Sequence, residues 1–218
     1  MSPAGDAAPT IEEHDELSHT LVAAAIDLLA DEGSAALTVR SLAARAGCST
    51  MGVYSRFGGK DGVVDAVFAE GFRRLTEAMR NVTTTDDPVA DLERCGRAYR
   101  AFAIANPTHY RVMFGEAVPG FHASEASILI AHESLGLLEF RVARCLDAGQ
   151  FDPSYGTPED LAHSFWAASH GLVSLELSGM GREPATQRDE RFDRTQRALV
   201  RGVSTAIASA PPPSSSPS

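Results

Sequence analysis

Apolar residues in this chain recur three and four positions apart almost from end to end, and no convincing stretch alternates with a period of two. That spacing lays a continuous stripe along an α-helix, whereas a half-buried strand needs strict alternation. The pattern therefore predicts an all-α fold of about nine helices, punctuated by Gly, Pro and capping residues.

The first helix is expected over about Glu13 to Glu32, with Leu17, Leu21, Ala24, Ala25, Leu28 and Leu29 on one face and Gly33 after its end. Thr38 is a good N-cap for a second helix that turns Leu42, Ala43 and Ala46 inward. Gly47 breaks that helix, and Ser49 caps a short third one through Phe57. Gly58-Gly59 ends it, and a fourth runs from Lys60 or Asp61 to about Val82, with Val64, Val67, Phe68, Leu75 and Met79 on its core face. Further helices are expected from Asp87-Pro88 to about Asn106, from Pro107 to about Gly115, from about Ser124 to Ala148, from Thr157-Pro158 to about Leu177, and from about Asp189 to Ala208. Residues 1–12 lack periodicity and the end is rich in Pro and Ser, so both read as a disordered arm and tail.

Short helix, glycine turn, short helix is helix-turn-helix geometry, which also occurs as plain structure. Used on DNA, its second helix would enter the major groove. Here that helix is STMGVYSRF, with Thr50, Met51, Gly52, Tyr54, Ser55 and Arg56 on the outer face and Val53 and Phe57 inside. The net charge of −10 looks wrong for such a role. Binding DNA needs local rather than total positive charge. Between Thr38 and Lys60 the chain has Arg40, Arg45, Arg56 and Lys60 and no acid, and Lys60 is its single lysine.

Longer sequence elements carry a resemblance. Asp31-Glu32-Gly33, Thr38-Val39-Arg40, Ala46-Gly47-Cys48-Ser49, Gly52-Val53-Tyr54-Ser55-Arg56-Phe57 and Lys60-Asp61 follow one another in the order and spacing of the DNA-binding domain of the tetracycline-repressor (TetR) family. The resemblance implies phosphate contacts for Thr38, Tyr54 and Lys60, and places Arg40, Thr50, Met51, Gly52, Ser55 and Arg56 near bases or flanking phosphates. Ser49 joins this DNA-binding set as the cap of the reading helix. The chain departs from relatives with basic residues at the start of helix one, having Glu12, Glu13, Asp15 and Glu16 there. The segment Asn106 to Phe114 (NPTHYRVMF) and the Trp166-x-x-x-His170-Gly171 step resemble a WHG-type subgroup of the same family.

What the resemblance implies is a helix-turn-helix DNA-binding domain over 13–60 and a larger ligand-binding and dimerisation domain over 61–208. The partners would be double-stranded DNA at a palindromic operator, a second copy held through the last two helices, and a small-molecule effector. Candidate effector-lining residues are Phe102, Tyr110, Met113, Phe114, Phe121, Trp166 and His170, although such a Met and aromatic set also makes an ordinary core. Close packing of a neighbouring helix is expected at Gly171.

Other chemistry is not supported. Gly59-Lys60 lacks the flanking Gly and Ser/Thr of a phosphate loop, and His163 and His170 are separated by about 10 Å of helical rise. No His-Glu-x-x-His or Cys-x-x-Cys occurs, so neither cofactor nor metal is expected. Three scattered cysteines, an acidic N-terminus and no long apolar run point to the cytoplasm and to no membrane. The expected function is transcriptional regulation, most simply repression. A dimeric helical binding or scaffold module with weak or lost DNA binding and a helical enzyme are the alternatives.

Overall fold

A computed structural model describes residues 16–115, 117–180 and 184–205. The expected arm, the expected tail and the first residues of the expected first helix lie outside them. The described residues hold nine α-helices: α1 (Glu16–Asp31), α2 (Val39–Arg45), α3 (Thr50–Phe57), α4 (Lys60–Arg80), α5 (Pro88–Ala105), α6 (Pro107–Met113), α7 (Glu125–Asp147), α8 (Pro158–Leu177) and α9 (Ala185–Val203). They divide into two compact units, Met1–Val82 with Arg97–Leu137, and Thr83–Gly96 with Leu138–Ser218. The division falls within α5 and within α7.

In the first unit, α2 and α3 have seven and eight residues. Isolated helices shorter than about 12 residues are marginal in water, so tertiary burial has to hold these two. Leu42 and Val53 are fully buried, each contributing about 1.5–3 kcal/mol. They sit in a head where α2 packs on α1 and α3, and α4 packs on both α1 and α3. The expected core faces of α1 and α4 are buried, apart from Leu17, which is half-exposed.

The longest interface of this unit joins α4 to α6. Gly71 leaves room there for the Met113 side chain, whose Sδ a Cβ would approach to 2.6 Å. Asp65 of α4 also reaches the start of α7. Its carboxylate accepts hydrogen bonds from the Ser124 backbone N–H and the hydroxyls of Ser124 and Ser127, each at 2.8 Å.

The second unit is organised around one buried carboxylate. Asp91 accepts from the Thr85 hydroxyl at 2.7 Å, the Thr85 N–H at 2.8 Å, Arg144 at 2.5 Å and Arg94. Arg141, itself buried, lies 3.8 Å away. Burial alone would raise this carboxyl's pKa, but the Thr85 hydrogen bonds and the guanidinium groups outweigh it and hold it at about 2. On the packed face of α8 and α9, buried Gln196 donates to buried Ser169 at 2.7 Å.

Two expectations are corrected. The last helix begins at Ala185 and stops at Val203 rather than spanning 189–208. Ser204 turns extended to pair with Phe151, and the Asp152 N–H takes the Val203 carbonyl at 2.9 Å. Gly171 has no close neighbour either: a Cβ built there meets nothing within 4 Å among the described residues.

Candidate nucleic-acid interface

The head presents its polar groups at helix starts, and local bonds fix each one. Thr38 caps α2 through a capping box with Ser41. The Ser41 hydroxyl donates to the Ala36 carbonyl at 2.5 Å while accepting the Thr38 N–H at 2.9 Å. The Thr38 hydroxyl proton is then left to Ser41 or to an outside acceptor such as a phosphate oxygen. Ser49 caps α3 by accepting the Gly52 N–H at 3.3 Å, and its own hydroxyl proton is likewise available.

The turn between the two helices needs Gly47, at φ +66°. Gly58, at φ +67°, closes α3 by donating to the Tyr54 carbonyl. These two bends set α3 between α2 and α4. Gly62 lets α4 start close beneath α3, because a Cβ there would overlap the Phe57 carbonyl oxygen.

Thr38, Arg40, Ser49, Thr50, Met51, Tyr54, Ser55 and Lys60 are exposed, and Arg56 is half-exposed. The apolar side chains stand out, with Met51 at 71% and Tyr54 at 53% exposure. Gly52 differs from its place on the expected outer face. It is half-buried, and a Cβ on it would touch Cys48 Sγ and Leu17 Cδ2 at 3.5 Å, so it faces α1. Phe57 is half-exposed rather than core.

Electrostatics reduces the positive segment read from the sequence. Arg45 is paired to Asp31 at 3.2 Å and to Glu32 at 2.7 Å, both at the end of α1. Lys60 has Asp61 at 3.3 Å. Arg40, Arg56 and Lys60 remain on this surface, with Lys60 beside its acidic neighbour. Sequence distance hid the Arg45 pairing, since the acids precede it by 13 and 14 positions.

The residues expected around an effector are placed as follows. In the first unit Phe102, Tyr110 and Met113 are buried, and Phe114 and Phe121 are half-buried. Tyr110 lies tilted against Phe114 (4.7 Å between centroids), Phe114 edge-on to Phe72 (5.8 Å), and Phe72 and Phe121 tilted against Phe68 (4.9 and 6.1 Å). Tyr99, not singled out by the sequence, extends this chain through a 2.9 Å hydroxyl–hydroxyl bond to Tyr110. His109, also not anticipated, is buried on α6 with Nε2 3.7 Å from Glu70 of α4. In the second unit Trp166 and His170 are half-exposed on α8 with ring centroids 6.2 Å apart, and His163 continues the row at 6.1 Å. No helix of the described residues is long and apolar enough to cross a membrane.

Comparison with known proteins agrees with this geometry. Residues 21–67 match the model described as bacterial regulatory proteins, tetR family, and residues 92–199 match that described as tetracyclin repressor-like, C-terminal domain. The HTH-type transcriptional regulator Rv1816 of Mycobacterium tuberculosis strain H37Rv is 24% identical over 200 residues, covering 79% of this chain and 86% of the relative. The HTH-type transcriptional repressor Rv3405c of the same organism is 33% identical over 95 residues, covering 44% of this chain and 50% of the relative. A solved protein of unknown function from Rhodococcus sp. RHA1 is 27% identical and superposes with a TM-score of 0.75, covering 90% of this chain and all of that one. Two matched segments in the right order, on a capped helix-turn-helix followed by a larger helical body, establish that the chain belongs to the TetR family of DNA-binding transcription regulators.

Proposed function

We propose that the chain is a one-component repressor of the cytoplasm. In this reading it binds a palindromic operator as a homodimer and leaves it when a small apolar or aromatic molecule enters the body. Members of the family bind DNA and small-molecule effectors, typically as dimers. The observation that carries the DNA half is the exposed row of Thr38, Arg40, Ser49, Thr50, Met51, Tyr54, Ser55 and Lys60, with half-exposed Arg56, set by the caps of α2 and α3 and the start of α4. Hydroxyls, Tyr54 and Lys60 would take phosphates, and the first turns of α3 would read base edges. Residues 13–60 serve as the DNA-reading segment, and residues 61–208 as the effector and dimer segment.

A second copy is assigned to the outer face of α8 and the adjoining α9. Leu175 on α8 and Met180 just beyond its end are 53% and 77% exposed, and the surface at Gly171 is open. Trp166 and His170 belong to this seam in our reading. The effector would enter the aromatic row around Phe102, Tyr110, Met113, Phe114 and Phe121, parting rings that now touch. Only a molecule that binds the operator-released state better can drive that release. No step in this reading is catalytic, and none uses a cofactor.

The pairing of Arg45 with Asp31 and Glu32 favours one rival, a dimeric module with weak DNA binding. A gel shift with the promoter region beside its own gene, and with genome-wide selected fragments, separates the two. Sequence-selective complexes at low salt are expected. Their absence on every fragment would leave the rival standing.

A further inference from the structure

The reading helix carries an unusual set of groups for direct base recognition. Adenine is ordinarily matched by Asn or Gln, cytosine by Asp or Glu, and guanine by Arg or Lys, whereas Ser and Thr hydroxyls serve more than one base and so discriminate little. Between Ser49 and Phe57 there is no Asn, Gln, Asp, Glu or Lys. Arg56 lies in the last turn of α3, with its Nη1 3.4 Å from the Ser55 hydroxyl. Bases are read mainly from the N-terminal end of such a helix. At that end stand Thr50 and Met51.

Met51 is 71% exposed, the most exposed large apolar side chain of the head. Val53, two positions on, is fully buried, so the apolar side of α3 that faces the core is already filled. A thioether offers no donor and only a weak acceptor. What it can recognise in the major groove is the apolar feature there, the C5-methyl group of thymine. Thr50 adds a methyl and a hydroxyl beside it, and Tyr54, one turn on, is 53% exposed.

We infer that Met51 is a specificity-determining residue that selects thymine through its 5-methyl group, so that sequence choice in the first turn of α3 is made by apolar contact. This inference rests on the DNA-binding reading above. It predicts that the operator places a thymine, in either strand, opposite the start of α3. Such a site would discriminate thymine from uracil, which differ only in that methyl.

The test uses the full chain and an operator recovered by selection from random duplex DNA. Each thymine of the site is replaced in turn by deoxyuridine, and affinity is measured at fixed salt. At one thymine the wild-type protein should bind about fourfold more weakly, the effect of one buried methyl. Met51→Ala should bind the unmodified site more weakly and lose that uracil penalty, whereas Met51→Leu should retain it. An unchanged melting temperature for Met51→Ala, expected at so exposed a position, separates lost recognition from lost fold.

Selective binding in which no uracil replacement matters would overturn the inference and leave the DNA-binding reading intact. A penalty that persists undiminished in Met51→Ala would move the methyl contact to another residue and also overturn it. Failure of the wild-type chain to select any sequence would overturn the reading beneath it.

Discussion

At the scale of the residue, two positions hold more than their own place. Asp91 faces Arg94, Arg141 and Arg144. Replacing it by Asn removes the charge that buried Arg141 and partly buried Arg144 face. Loss of one partner from a buried ion pair costs about 3–5 kcal/mol. Asp91→Asn should therefore lower the melting temperature sharply, as read by circular dichroism. The same carboxylate sets an acid limit. Its pKa is depressed from 3.8 to about 2, so its contribution is complete above about pH 4 and disappears as the pH falls through about 2. Melting temperatures of the wild type and Asp91→Asn should converge over that window. Parallel curves would remove Asp91 from the account. Gly62 is the second case. Its Cβ position is occupied by the Phe57 carbonyl, so Gly62→Ala should displace α3 or unfold the head. Operator binding would fall far more than far-ultraviolet helicity, and an unaffected affinity would show that α3 and α4 can part at no cost.

At the scale of the element, the helix starts were legible because a cap is a local bond. Thr38, Ser49, Asp87 and Thr157 each accept from a backbone N–H three positions on, and each stands where the sequence places a helix start. The end of α9 was not legible, since the cause is a pairing of Ser204 with Phe151 across most of the second unit. The Asp91 cluster escaped for the same reason: Arg144 is 53 positions away. The open surface at Gly171 ran against a local argument, because helix propensity says that a glycine costs stability and is silent on what covers it. Lys60, the first residue of α4, belongs to this scale too. Lys60→Ala should weaken binding alike on all sequences and lessen the salt slope by about 0.9 per head, measured by titration at several ionic strengths. An unchanged slope would assign Lys60 to Asp61 alone.

At the scale of the whole molecule, assembly is the property to measure. Leu175→Glu places a charge on the exposed face of α8 and should turn a dimer into a monomer in sedimentation, with helicity retained. A wild-type chain that sediments as a monomer would defeat the proposed symmetry. The aromatic row of α4 and α6 is a set of rings already in contact, and sequence spacing alone could place those rings together without saying whether a molecule fits among them. The pairing of Arg45 with Asp31 and Glu32 reaches further than the head. On the proposed DNA-facing surface few cations would face the phosphates, so the protein would grip arbitrary DNA weakly and one-dimensional sliding would contribute little to finding a site. Its target would be located mostly by repeated collisions from solution. Under the proposed repression, the time to restore silencing after an effector is withdrawn should then scale inversely with the number of copies in the cell.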